Sequence, residues 1–256
     1  MHVGAITDYI DVAQIVLYAF WIFFIGLVIY LRREDKREGY PLESDRSNDR
    51  VQVQGFPRMP APKTYRLAHG GEVTVPRAEA ARAVAARPYE PWPGAPLEPT
   101  GNPLADGVGP AAYAQRSSTP DLTIDGHPRI VPMRVASDFT VESRDPDPRG
   151  MPVVGGDGQV GGTISDIWVD RAEPQIRYLE IKAGPAGRQV LVPISFAAID
   201  RWQRCVRVTA LLGEQFDTVP GLENPDQVTL LEEDRISAYY AGGTLYAEPS
   251  RLGPLL

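Results

Sequence analysis

The chain reads as one membrane-spanning α-helix joined to a mainly β cytoplasmic domain, a small antiparallel barrel or sandwich with a single C-terminal helix. Three observations carry that reading. Residues 12–31, VAQIVLYAFWIFFIGLVIYL, hold one amide, Gln14, and no charge. From about residue 150 short alternating stretches are punctuated by Gly, Pro and Asp, as in a small all-β domain. Near the end, TLLEEDRISAYYAGG has the spacing of one capped helix.

The apolar run comes first. At about 1.5 Å per residue a helix of this length spans roughly 30 Å, the thickness of a bilayer hydrocarbon core. In lipid only a helix satisfies all its own backbone polar groups in a single segment. Tyr9 and Tyr30 fall at headgroup level, where interfacial aromatics concentrate. A cleavable signal peptide would have a basic leader and a small-residue cleavage site. Here Asp8 and Asp11 precede the run and Tyr-Leu-Arg-Arg ends it. Arg32, Arg33, Lys36 and Arg37 follow immediately, so the positive-inside bias places residues 1–11 in the periplasm and everything after the helix in the cytoplasm. Tyr30, Arg32, Arg33 and Lys36 are the candidates for anionic lipid headgroups, cardiolipin among them. One helix cannot enclose a channel, so function in the membrane requires packing on other chains.

Residues 32–56 form a basic collar and, at 43–54, a polar stretch expected to be flexible. Residues 57–152 contain 17 of the 25 prolines, which excludes a conventional helical domain. Because Tyr65, Tyr89, Trp92 and Tyr113 recur there beside short strand patterns, residues 57–149 read as an ordered arm extended along another protein's surface. Residues 150–256 hold the strands and the last helix. Thr229 and Glu232 have capping-box spacing, and Gly242 is placed to stop the helix in a left-handed conformation. The glycine pairs 70–71, 155–156, 161–162 and 242–243 read as turns. Trp168 and Trp202 read as core.

Composition excludes several functions. The formal charge is −7 with the basic residues gathered beside the helix, which does not describe a nucleic-acid binder. The lone Cys205 excludes an internal disulfide and fits a reducing compartment. His2, His69 and His127 are scattered, no metal-ligand spacing or phosphate loop occurs, and no nucleophile elbow points to an enzyme.

Several long segments then bear on identity. YLRREDKREGYPLE, PTGNPLADGVGPAAYA, RIVPMRVA, DPRGMPVVGGDG, ISDIWVDRAEPQIRYLEI and LLEEDRISAYYAGGTLYA, in that order, resemble the H subunit of the purple-bacterial photosynthetic reaction centre. Residues from roughly 150 to 215 also resemble the PRC-barrel family. The resemblance implies a non-enzymatic subunit of the bacterial inner (intracytoplasmic) membrane, its single helix beside the L and M chains. Those partners hold the bacteriochlorophylls, bacteriopheophytins, quinones and non-haem iron, and the H chain binds none through its own ligands. It implies a cap over the quinones, and neighbours that include an antenna ring and, in some complexes, a cytochrome subunit. A membrane-tethered PRC-barrel adaptor of another complex is the rival.

The resemblance also implies site residues. The acid after the IWV strand and the glutamate three further on, Asp170 and Glu173, lie in that family near the proton path to the secondary quinone, with Arg177 close by. Neighbouring carboxylates push each other's pKa apart and an arginine holds one ionised. Asp125 and His127 match the family's surface cluster at the mouth of the path, where a histidine titrating near ~6.5 collects protons. A second histidine found in some relatives is replaced here by Pro128-Arg129.

Overall fold

In a computed structural model of the chain, the described residues are 6, 11–42, 51–68, 70–77, 83–92 and 95–252. They divide into two compact units, Met1–Ala83 with Pro91–Ala95, and Val84–Glu90 with Pro96–Leu256. The expected positions of Tyr9, His2 and His69, most of residues 1–11, and residues 43–50 of the stretch expected to be flexible lie outside the described residues.

In the first unit, α1 runs Val12–Asp35, four residues past the apolar run, and none of it is buried within the chain. Among the described residues it is the helix long and apolar enough to cross a membrane. Its one amide has a local purpose. The Asp11 carboxylate accepts the Gln14 N–H at 2.8 Å, and the Gln14 side chain accepts the Asp11 N–H at 3.3 Å. This reciprocal cap satisfies amides that lipid could not. Past the collar, β1 (Lys63–Arg66) and β2 (Glu72–Val75) form an antiparallel hairpin, with Thr64 and Thr74 hydroxyls 2.7 Å apart.

The second unit begins with the two-stranded β3 (Ala86–Pro88) and β4 (Leu97–Pro99), crossed by an Arg87–Glu98 pair at 2.9 Å. A single turn of helix, α2 (Pro103–Asp106), is capped by Asn102, and a tight turn follows at Gly109–Ala111. Then come β5 (Ile130–Pro132), β6 (Pro152–Gly155), β7 (Val160–Asp170), β8 (Gln175–Ala183), β9 (Arg188–Pro193), β10 (Ala198–Asp200) and β11 (Cys205–Val208), and the helix α3 (Leu230–Tyr246).

These seven strands make one sheet in the order β10-β11-β6-β7-β8-β9, with β5 also on β7. The mainly β reading with a C-terminal helix holds, with two differences. β11 pairs with β6 in parallel, not antiparallel. The sheet is also not closed into a barrel: among the described residues no pairing joins β9 to β10. Pro193, which has no N–H to donate, ends β9, and the chain turns away at Ile194–Phe196. β7 serves two neighbours along one edge, β6 near Gly162 and β5 near Val169. Register shifts near Ile164 and Trp168 bend it to do so.

The core lies between this sheet and α3. Ile167, Trp168, Leu179, Ile181 and Leu191 meet Phe216, Ile236 and Tyr240, all fully buried. Each such side chain contributes about 1.5–3 kcal/mol by leaving water. Two expected turns are corrected. Gly161 and Gly162 lie inside β7, where a Cβ on Gly161 would collide with the Phe216 ring. Gly242 and Gly243 lie inside α3, which does not stop there. A Cβ on Gly242 would come within 2.5 Å of the Ala111 Cβ, and one on Gly243 within 2.5 Å of Leu211 Cδ2. The glycines let the helix approach closely; they do not end it.

Candidate functional site

Asp170 is the last residue of β7, opposite Ile130 of β5. It is 1% exposed, a position where a carboxylate must be fully partnered. Its Oδ1 accepts the N–H groups of Ala172 at 2.9 Å and Glu173 at 3.1 Å, which turns the chain toward β8. The remaining partner is Arg129, just before β5, whose Nε donates to both Asp170 oxygens at 2.9 Å.

The same guanidinium reaches Asp121 at 3.3 Å and Glu173 at 3.4 Å. One arginine therefore gathers three carboxylates, two from the end of β7 and the turn after it and one from the segment before β5. Burial pushes the Asp170 carboxyl up, but Arg129 and the two backbone N–H groups outweigh it and hold the carboxyl below its ordinary value. Glu173 differs: its side chain is 69% exposed.

Asp125 and His127 stand at the tip of a small hairpin whose base is this cluster. Arg129 donates its N–H to the Asp121 carbonyl at 2.8 Å, and Thr123 donates to the His127 carbonyl at 2.8 Å. Gly126, at φ 79°, makes the reversal. Ile124, Asp125 and His127 are exposed around it. The candidates thus occupy two ends of one hairpin, with acid and imidazole in water and the arginine-bound carboxylates at the root.

Arg177 is not part of this cluster. It sits in β8 near Tyr178 and Glu233, whose pKa values burial raises and the Arg177 charge only partly offsets. Sequence reasoning missed two residues. Arg129 looked like a lost histidine and is the hub of the cluster. Glu233 looked like a helix-end acid. It accepts the Tyr178 hydroxyl at 2.9 Å, and burial raises its pKa, with Asp121 adding to the rise. Its neighbours divide the other roles: Glu232 closes the capping box with Thr229, and Asp234 pairs with Arg116 at 3.6 Å.

A second charged cluster lies in a cleft of about 890 Å³. Arg134 bridges the buried Asp166 at 3.1 Å and Glu180 at 2.8 Å, and also Asp226 at 3.1 Å. Ser165 and the Trp168 indole complete Glu180, at 2.8 and 3.1 Å. Every charge there has its partners, so the cluster pins β7 and β8 to the loop before α3. Among the described residues no group of three or more His, Cys, Asp or Glu is arranged to hold a metal ion.

At the collar the structure corrects one lipid candidate. Lys36 is 2% exposed, and its ammonium donates to the carbonyls of Gln54 (2.7 Å), Gly55 (3.0 Å) and Pro57 (2.6 Å). All three of its protons are used within the chain, so it has none for a headgroup. Arg37 is likewise drawn inward, forked on Glu34 and donating to the Ala61 carbonyl at 2.8 Å. Tyr30, Arg32 and Arg33 remain exposed.

Two family models match the chain. Residues 140–215 match the PRC-barrel domain, which covers β6 to β11 together with the stretch before them. Residues 4–135 match the photosynthetic reaction centre H-chain N-terminal region, from the start of the membrane helix through the hairpin that carries Asp125, His127 and Arg129. With the H-chain match spanning half its length and the PRC-barrel match following it in order, the chain belongs to the H-chain family of photosynthetic reaction centres, the structural subunit that associates with the L and M chains.

Proposed function

We propose that the second unit caps the cytoplasmic face of the L and M chains over the quinones and delivers protons to the secondary quinone. In this reading α1 crosses the membrane with its N-terminus in the periplasm, and Arg32 and Arg33 meet anionic headgroups, with Tyr30 at the interface. Protons enter at Asp125 and His127 and continue by way of Glu173, while Asp170 stays ionised. The pigments, quinones and iron belong to the partner chains.

The observation that carries this is the Arg129 fork. A relay group must change charge without dismantling its surroundings. When Glu173 takes a proton, Arg129 is still paired with Asp170 and Asp121, so the turn and the hairpin base keep their geometry in both charge states. The buried Asp170 supplies a fixed negative charge beside the path, favouring the passage of a cation. Covering the site also strengthens its electrostatics and selects where protons enter.

The test is transfer of the second electron to the secondary quinone in flash-excited reaction centres. Glu173→Gln is expected to slow that proton-coupled step roughly tenfold, at or below the low end for a positioned acid–base group because Asp125 and His127 remain. The first electron step should be unchanged. Equal rates for wild type and variant from pH 5 to 9 would remove Glu173 from the path.

A further inference from the structure

The hairpin joining β10 and β11 departs most sharply from the sequence expectation. Trp202, expected in the core, is 90% exposed at its tip. Single exposed apolar side chains are common, and Ile124 is another on this unit. An indole, however, pairs a large apolar face with a hydrogen-bond donor, and here it has charged neighbours. Its surroundings are basic on a chain of net charge −7. Between Arg201 and Arg207 there are three arginines and no acid. Arg201, Arg204 and Arg207 are all exposed.

The tip is also held in shape. The Asp200 carboxylate accepts the N–H groups of Trp202 and Gln203, each at 2.9 Å. Arg204 sits at φ 49°, among the described residues the one non-glycine in the left-handed region. Arg207 bonds the Gln203 side chain and lies 3.7 Å from Asp200, and Arg201 donates to the Arg144 carbonyl at 3.3 Å. Arg144 is itself exposed. A loop fixed this way offers the indole and guanidinium groups at little entropic cost, since their backbone is already ordered.

We propose that this hairpin tip is a second membrane contact, with Trp202 in the headgroup layer and Arg201 and Arg204 on anionic lipid phosphates. Tryptophan is enriched at this interface because one end of it is apolar and the other donates a hydrogen bond. Arginine forks match phosphate oxygens in pairs, and the cytoplasmic leaflet is anionic. The inference rests on α1 as a membrane span, which keeps the domain beside a bilayer throughout its life. An acidic body would otherwise be repelled from that surface, so a local basic patch with an aromatic centre is the part able to settle on it.

The experiment uses the intact reaction centre in nanodiscs of phosphatidylcholine alone or with a third phosphatidylglycerol. A nitroxide is placed by Gln203→Cys with Cys205→Ala, and the Cys205→Ala complex without that site serves as blank. Collision rates with oxygen and with a water-soluble nickel chelate are read. With phosphatidylglycerol present the nickel rate is expected to fall severalfold and the oxygen rate to rise. Trp202→Ala should abolish the change. Arg201→Gln and Arg204→Asn should each shift the docked-to-free ratio roughly fivefold toward free. A label open to nickel in both lipids overturns the proposal, as does one shielded equally in both, which would mean a protein partner. A second nitroxide, placed within α1 by Val16→Cys with Cys205→Ala, that proves open to the nickel chelate would count instead against α1 as the span on which the inference rests.

Discussion

Asp170 and Glu173 stand three residues apart in the chain and in opposite surroundings, one closed from water and one open to it. The difference predicts separable effects. Asp170→Asn leaves the Arg129 guanidinium without its main partner, and should lower stability by about 2 kcal/mol. That is less than the 3–5 kcal/mol of a wholly buried pair, because Arg129 keeps some contact with water. The folded Asp170 carboxyl titrates below its ordinary value, so its stabilisation is complete above about 4 and is lost as pH falls through the depressed folded value. Thermal melts between pH 3 and 7 should show the wild type losing this increment on acidification and the variant lacking it throughout. Tyr240 offers the opposite case. Its hydroxyl is buried without a hydrogen-bond partner among the described residues, between Phe196 and Phe216. Tyr240→Phe removes an orphaned polar atom and should leave the unfolding free energy unchanged or raise it by up to about 1 kcal/mol, with the melting temperature moving the same way. A clear loss would mean that the hydroxyl has a partner after all.

Between elements the deciding contacts are close approaches and long-range pairs. Gly243 in α3 shows two effects in competition. Alanine would gain about 1 kcal/mol in helix propensity, but its Cβ would collide with the Ala210 carbonyl and Leu211. Overpacking of this kind costs about 1–3 kcal/mol, so Gly243→Ala should destabilise on balance, measured by chemical unfolding in detergent. The same contrast explains what could be read in advance. α1, the Thr229–Glu232 cap, the turn at Gly70–Gly71 and the position of Asp170 at a strand end were legible because each is set by residues within a few positions. Arg129 finds Asp170 across 41 residues, and Lys36 finds the Pro57 carbonyl across 21. No local pattern encodes those pairings. The glycine pairs 161–162 and 242–243 were misread for a related reason: a glycine needed for close packing looks, in sequence, like one needed for a turn. Trp202 was misread because an alternating strand pattern beside it implied burial, whereas the residue sits in the reversal between two strands.

For the whole chain, the membrane span, the mainly β unit and the order of family segments were all visible in composition and motif, and they suffice for family membership. The open sheet and the parallel β11–β6 pairing were not, because β11 finds β6 far along the chain, as in Val206 opposite Val153, and no local spacing encodes that partner. The function proposed here depends on the tip of one hairpin, with exposed acid and imidazole at 125–127, and on the carboxylate of Asp170 in β7 that Arg129 locks to the hairpin's root. Replacing His127 alone with Ala should therefore alter the pH dependence of proton uptake more than its maximal rate, measured with dye indicators after flashes.

A helix standing alone in a bilayer is free to roll about its long axis, and an ordinary linker beyond it would let that rolling die away. The three carbonyls grasping Lys36 remove this slack. Any rotation of the last helical turn must carry residues 54–57 with it, and Arg37 extends the linkage to Ala61 and Val75. The exit from the lipid therefore behaves as a stiff crank in place of a loose leash, passing torque from the span into the first folded piece outside it.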